Sequence, residues 1–119
     1  MSAITTHVLD AALGRPAAGV PVQLEQLVLH TAGPALSEGV ASTGTGVTDS
    51  DGRVGSLGPD HLERGDYRLT FDTATYFQQT GQTGFYPTIT VTFTVTDPAR
   101  HHHVPVLLSP YAYSTYQGS

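Results

Sequence analysis

The stretch that most constrains the fold runs from Thr88 to Thr96. Thr occupies positions 88, 90, 92, 94 and 96, and Ile89, Val91, Phe93 and Val95 fill the positions between. This is strict period-two alternation, the pattern of a strand with one polar and one apolar face. A helix would scatter the same apolar residues around its circumference. The chain must therefore build at least one sheet that is wet on one side and packed on the other.

Other segments fit that demand. Ile4 to Leu9 reads as a strand stopped by Gly14-Arg15-Pro16, and Val22 to Leu29 alternates after Gly19 and Pro21. Val40 to Thr48 is interrupted by Gly44 and Gly46, and Ser50-Asp51-Gly52 is a turn signal. Asp66 to Phe71 follows Gly65. Thr73 to Gln79 is the one helical segment, with Asp72 or Thr73 as its cap and Gly81 as its stop. His101 to Leu108 carries Pro105, which predicts an edge strand or a position without a ladder bond. Tyr111 to Tyr116 is the last strand. About seven or eight short strands with one helix predict an all-β sandwich of antiparallel sheets.

The chain has 119 residues, enough for a single domain, 1–119, that buries about 65–70% of its unfolded surface. No apolar run approaches the ~20 residues of a membrane helix, and the N-terminal residues lack a basic, then apolar, leader pattern. A cytoplasmic protein is expected. The net charge of −5 excludes a basic nucleic-acid footprint. The absence of Cys excludes thiolate chemistry and disulfides, and the absence of Lys excludes a Schiff base.

Histidine carries what chemistry remains. His101, His102 and His103 are consecutive, so on a strand His101 and His103 share one face and His102 takes the other. Two imidazoles at that spacing suit a metal, a substrate or a solvated polar patch equally. His7 shares its strand face with Thr5 and Leu9, and Arg53 follows the Asp51-Gly52 turn. Taken singly, each reads as an ordinary surface residue. Asp49 and Asp51 lack the spaced ligands of a calcium loop and read as turn acceptors. His30 and His61 lie near turns and receive no role.

Two longer segments organise these residues. His7-Val8-Leu9-Asp10, running on to Val22, and His101 through Ser119 resemble 5-hydroxyisourate hydrolase, the transthyretin-like enzyme family of urate breakdown. Asp51-Gly52-Arg53, Tyr67-Arg68-Leu69 and Phe85-Tyr86-Pro87 match in order between them, so the resemblance covers essentially the whole chain. It implies a transthyretin-like sandwich of two four-stranded sheets with one short helix. It also implies a homotetramer whose sites lie in a channel between dimers. The family's site residues fall on His7, Arg53 and His103, with Tyr116, Gln117, Gly118 and Ser119 as the terminal segment. His101 matches the first His of a His-x-His pair. Gln117 stands where the family usually has Arg, keeping hydrogen-bonding groups but losing the fixed charge and planar fork. His102 replaces a common Tyr and should point away from the site. The family ends at the residue matching Ser119, which implies a terminal carboxylate near the channel.

The reaction implied is hydrolysis of 5-hydroxyisourate. Its six-membered ring opens to 2-oxo-4-hydroxy-4-carboxy-5-ureidoimidazoline. The resemblance then suggests His103 as base for water, His7 as its proton partner or a substrate positioner, and Arg53 as stabiliser of negative charge. Tyr116, Ser119, His101 and Gln117 are the substrate-binding candidates. Three imidazoles and a water would also suit zinc, but no metal or other cofactor is implied. Transthyretin itself, a hormone carrier, shares the fold without this His pattern, so binding without turnover is the alternative.

Overall fold

A computed structural model describes the backbone of residues 2–32 and 35–119, and the side chains among these outside 28–41. The strands are β1 (Ile4–Asp10), β2 (Arg15–Pro16), β3 (Pro21–Ala32), β4 (Ala35–Val47), β5 (Arg53–Val54), β6 (Gly65–Phe71), β7 (Ile89–Val95), β8 (His102–Ser109) and β9 (Ala112–Thr115). The helix α1 spans Thr73–Gln79. The strands form two sheets. One has the order β4-β3-β6-β7 and the other β2-β1-β8-β9, with β5 also pairing β1. The second sheet thus has five strands where four were expected. The extra count comes from the two-residue β2 and β5, which share one edge of β1.

The period-two pattern of β7 is realised as read. Ile89 and Val95 are buried and Thr90, Thr92 and Thr94 are exposed. The inner faces meet in one core that includes Ile4 and Val8 of β1, Leu24 of β3, Leu69 and Phe71 of β6, and Val106 and Leu108 of β8. Tyr76 and Phe77 of α1 close one end. Asp72 caps α1 by accepting from the Thr75 N–H at 3.1 Å. Among the described residues no helix is long and apolar enough to cross a membrane.

Of the two settings expected for Pro105, the structure has the position without a ladder bond rather than the edge, because β8 lies between β1 and β9. Its missing N–H costs no bond because the β8–β9 ladder starts only at Val106 opposite Thr115. The Pro105 carbonyl instead accepts from the Thr115 hydroxyl at 2.7 Å. The last strand is shorter than read, Ala112–Thr115, whereas β3 and β4 are longer. The glycines that weakened β4 have a packing reason. A Cβ at Gly44 would lie 2.5 Å from the Gly58 Cα, and one at Gly46 would lie 2.6 Å from a Val54 methyl. The segment around 54–58 crosses this strand too closely for side chains.

Asp10 ties the end of β1 to the helix region. Its carboxylate is buried, 1% exposed, and accepts from the Tyr76 hydroxyl at 2.6 Å, the Gln82 amide at 3.0 Å and the Ala12 and Leu13 N–H groups at 3.0 and 2.8 Å. Burial pushes its pKa up, but these four donors outweigh it and hold the group below its ordinary 3.8. Burial and the same carboxylate push the Tyr76 phenol up to about 12. We expect Asp10→Ala to cost roughly 2–4 kcal/mol in urea unfolding, because it orphans several buried donors at once. A loss below about 1 kcal/mol would show that the knot is not structural.

Candidate active site on the outer face of the β1–β8 sheet

β1 and β8 run parallel, with Thr5 opposite His103 and His7 opposite Pro105. β5 pairs the other edge of β1 and sets Arg53 opposite His7. Because Ile4, Thr6, Val8 and Asp10 turn inward, Thr5, His7 and Leu9 face outward. His103 is half-buried on that same outer side. His102 turns the other way and is buried, its Nδ1 without a hydrogen-bond partner. The expectation that His101 and His103 share a face and His102 leaves it holds.

Local turn chemistry places Arg53. The Asp49 carboxylate accepts from the N–H groups of Asp51 at 2.9 Å and Arg53 at 3.0 Å. Gly52 has φ +76°, and a Cβ there would lie 2.3 Å from the Val8 carbonyl oxygen. Only glycine fits a turn docked so tightly on β1. The turn also orients His7, whose Nε2 lies 2.9 Å from the Asp51 carbonyl. A carbonyl can only accept, so His7 donates Nε2–H, and Nδ1 is the bare nitrogen of the neutral ring.

His103 and His101 meet at one hydroxyl. Thr5 Oγ1 lies 2.8 Å from His103 Nδ1 and 2.9 Å from His101 Nε2. Burial is the main influence holding the His103 pKa below the ordinary imidazole value, and the charges of Arg53, His7 and His101 add to it. A hydrogen bond to the Thr5 backbone acts weakly in the opposite sense. These influences favour the neutral ring, the state in which an imidazole accepts a proton. Among the described residues no three His, Asp or Glu side chains are grouped to hold a metal ion.

The terminal segment packs beside His103. Gly118 donates its N–H to the His103 carbonyl at 2.8 Å. A Cβ on Gly118 would lie 2.5 Å from His103 Cδ2, so the ring fits only against bare backbone. Tyr116 and Gln117 line a cavity of about 310 Å³ with His103, Val91 and Phe93. Ser119 is exposed next to Gly118. A larger hollow of about 460 Å³ lies elsewhere, against β3, β4 and β6, and Asp72 is its sole ionisable residue. The structure thus gathers His7, Arg53, His101 and His103 on one face and brings Tyr116 and Gln117 to its corner. Thr5 was not singled out as functional in the sequence, whereas Gly118 belongs to the terminal segment that the resemblance had pointed to. Alternation had put Thr5 on the face of His7, and that was the one available signal.

A profile of the HIUase/Transthyretin family matches residues 4–118. Mouse 5-hydroxyisourate hydrolase is 43% identical over 119 residues, 99% of this chain and 96% of that one. The structure of Klebsiella pneumoniae 5-hydroxyisourate hydrolase superposes with a TM-score of 0.79 at 31% identity, covering 98% of each chain. Transthyretin from Sparus aurata gives 0.84 at 30% identity, over 99% of this chain and 97% of that chain.

An NMR titration is expected to put the His103 pKa below the ordinary value near 6.5, and Arg53→Gln is expected to raise it by removing a positive charge. The unfolded chain then binds the proton more readily. The linked stability is whole above about pH 6.5 and is lost as pH falls through the folded value. A His103 pKa at or above 6.5, or one indifferent to Arg53→Gln, would contradict this electrostatic picture.

Proposed function

The chain belongs to the HIUase/Transthyretin family, and we propose that it opens the six-membered ring of 5-hydroxyisourate by histidine-assisted attack of water. The single observation that carries this reading is the grouping of His103, His7 and Arg53 on one sheet face. The backbone alone does not choose between hydrolase and carrier, since it superposes as well on a transthyretin as on a hydrolase. The side chains do. A carrier needs an apolar seat, whereas this face presents proton acceptors beside a cation.

Water adds to the ring carbonyl carbon, the carbon–nitrogen bond breaks, and the products are a carboxylate and a freed ureido nitrogen. His103 takes the proton from the attacking water. His103 then returns that proton to the departing ring nitrogen, and His7, anchored through Nε2–H, positions substrate or accepts a proton at its bare Nδ1. Arg53 stabilises the oxyanion that forms on the carbonyl oxygen. Tyr116, Gln117 and Ser119 orient the substrate by hydrogen bonds. Gln117 performs this as a neutral amide where the family usually has Arg.

The working form is a homotetramer with the sites between dimers. In one chain this face is open, with Leu107 38% and Tyr113 41% exposed beside it. The free edges of β7 and β9 also flank one cavity. Covering the outer face would exclude water and strengthen every charge interaction on it. Sedimentation equilibrium giving only monomers at micromolar concentration would remove this assembly.

The deciding measurement is the absorbance decay of 5-hydroxyisourate generated from urate by urate oxidase. Clear acceleration over spontaneous decay is expected at catalytic concentrations. His103→Ala should lower kcat by roughly 10²–10⁴-fold, and Arg53→Ala should impair turnover without unfolding the protein. Saturable binding of an aromatic ligand with no acceleration would instead establish the carrier.

A further inference from the structure

The contacts of Thr5 carry an inference that rests on the hydrolase reading and deepens it. One hydroxyl lies within hydrogen-bond distance of two imidazole nitrogens, His103 Nδ1 at 2.8 Å and His101 Nε2 at 2.9 Å. A hydroxyl has one proton to give. If it donates to His101 it must accept from His103, and the reverse also holds. Its two lone pairs also let it accept from both rings, so the rings take opposite roles when the hydroxyl proton lies within the bridge, and the direction of that bridge then sets the tautomer of both.

Only one direction leaves His103 usable as a base. With Nδ1–H donated to Thr5, the neutral ring carries its lone pair on Nε2, the nitrogen not engaged by Thr5. With the bridge reversed, Nε2 holds the proton and has nothing to accept with. We propose that Thr5 is a positioning residue for the reaction. Its hydroxyl accepts from His103 Nδ1–H and donates to His101 Nε2, so it holds His103 as the tautomer with a bare Nε2. His101 is the acceptor that fixes the direction of the bridge.

This gives His101 a function although it is exposed and makes its hydrogen bond to Thr5 rather than to a substrate. The charged and titratable groups around the relay are Arg53 and His7, which act on His103, and Asp60 and Arg100, which line the small hollow beside His101.

The test uses the full chain labelled with ¹⁵N-histidine, with Thr5→Val and Thr5→Ser beside wild type. Valine keeps the branched shape and strand preference but has no hydroxyl. Wild type is expected to show the protonated nitrogen of His103 at Nδ1. Thr5→Val should shift His103 toward the Nε2–H tautomer and lower kcat about 10–100-fold with KM nearly unchanged. Thr5→Ser should restore both. His101→Leu should move the tautomer and kcat in the same direction by less. A folded Thr5→Val protein with wild-type kcat and unchanged His103 nitrogen shifts would overturn the proposal. So would a wild-type His103 already in the Nε2–H form, which needs no variant to fold. If wild type does not accelerate 5-hydroxyisourate decay the hydrolase reading fails, while the nitrogen shifts still report the bridge by themselves.

Discussion

The parallel ladder between β1 and β8 is the constraint on which the rest depends. It joins Ile4 through Asp10 to His102 through Leu108, residues almost a chain length apart. Parallel strands cannot be joined by a hairpin, so nearly the whole chain must be wound between them. The intervening segment supplies the second sheet, the helix and the turn that carries Arg53. Buried contacts secure the register. The Thr6 hydroxyl donates to the Val104 carbonyl at 2.7 Å, and the His102 N–H donates to the Ala3 carbonyl at 3.0 Å. A slip of one residue would turn His7 and Thr5 inward and bring Val8 and Asp10 to the surface. The same bonds that hold the sandwich together therefore hold the candidate catalytic groups in line.

Charge is handled differently in the core and at the site. Asp10 is buried with four donors around it, so its ionised form is stabilised and the group is inert. His103 is half-buried beside a guanidinium and two other imidazoles, so burial first and these charges second favour its neutral form, which can accept a proton. The environments push two titratable groups to opposite ends of usefulness, one as a strut and one as a base. Tightness matters at the site too. Gly52 and Gly118 place bare backbone against β1 and against the His103 ring, where any side chain would displace what it touches.

Much of this was legible in the residues. Period-two alternation marked β7, and the Asp72 cap with Gly81 bounded α1 at Thr73–Gln79, as observed. The pairing of His101 with His103 on one face followed from strand geometry. Their meeting with His7 and Arg53 did not. It depends on which strands lie side by side, and only the family resemblance suggested it. Pro105 left open an edge or a position without a ladder bond, and only the structure shows the second, because the neighbouring ladder begins one residue later. Gly44 and Gly46 misled because glycine weakens a strand unless another segment crosses it closely. Thr5 carried no signal beyond its place on the face of His7, being one threonine in a chain rich in them.

The sequence by itself determined the sandwich class, the helix, the inward and outward faces of each strand, and the stock of reactive groups. These follow from short-range rules, namely a two-residue period, a cap and a turn, together with composition. Tertiary structure decided which outward-facing residues become neighbours, the tautomer that the Asp51 carbonyl imposes on His7, and the sharing of one Thr5 hydroxyl by His101 and His103. Those contacts join residues 44 to 98 positions apart. No local pattern encodes a distance of 2.8 Å between them; the register of the β1–β8 ladder sets it.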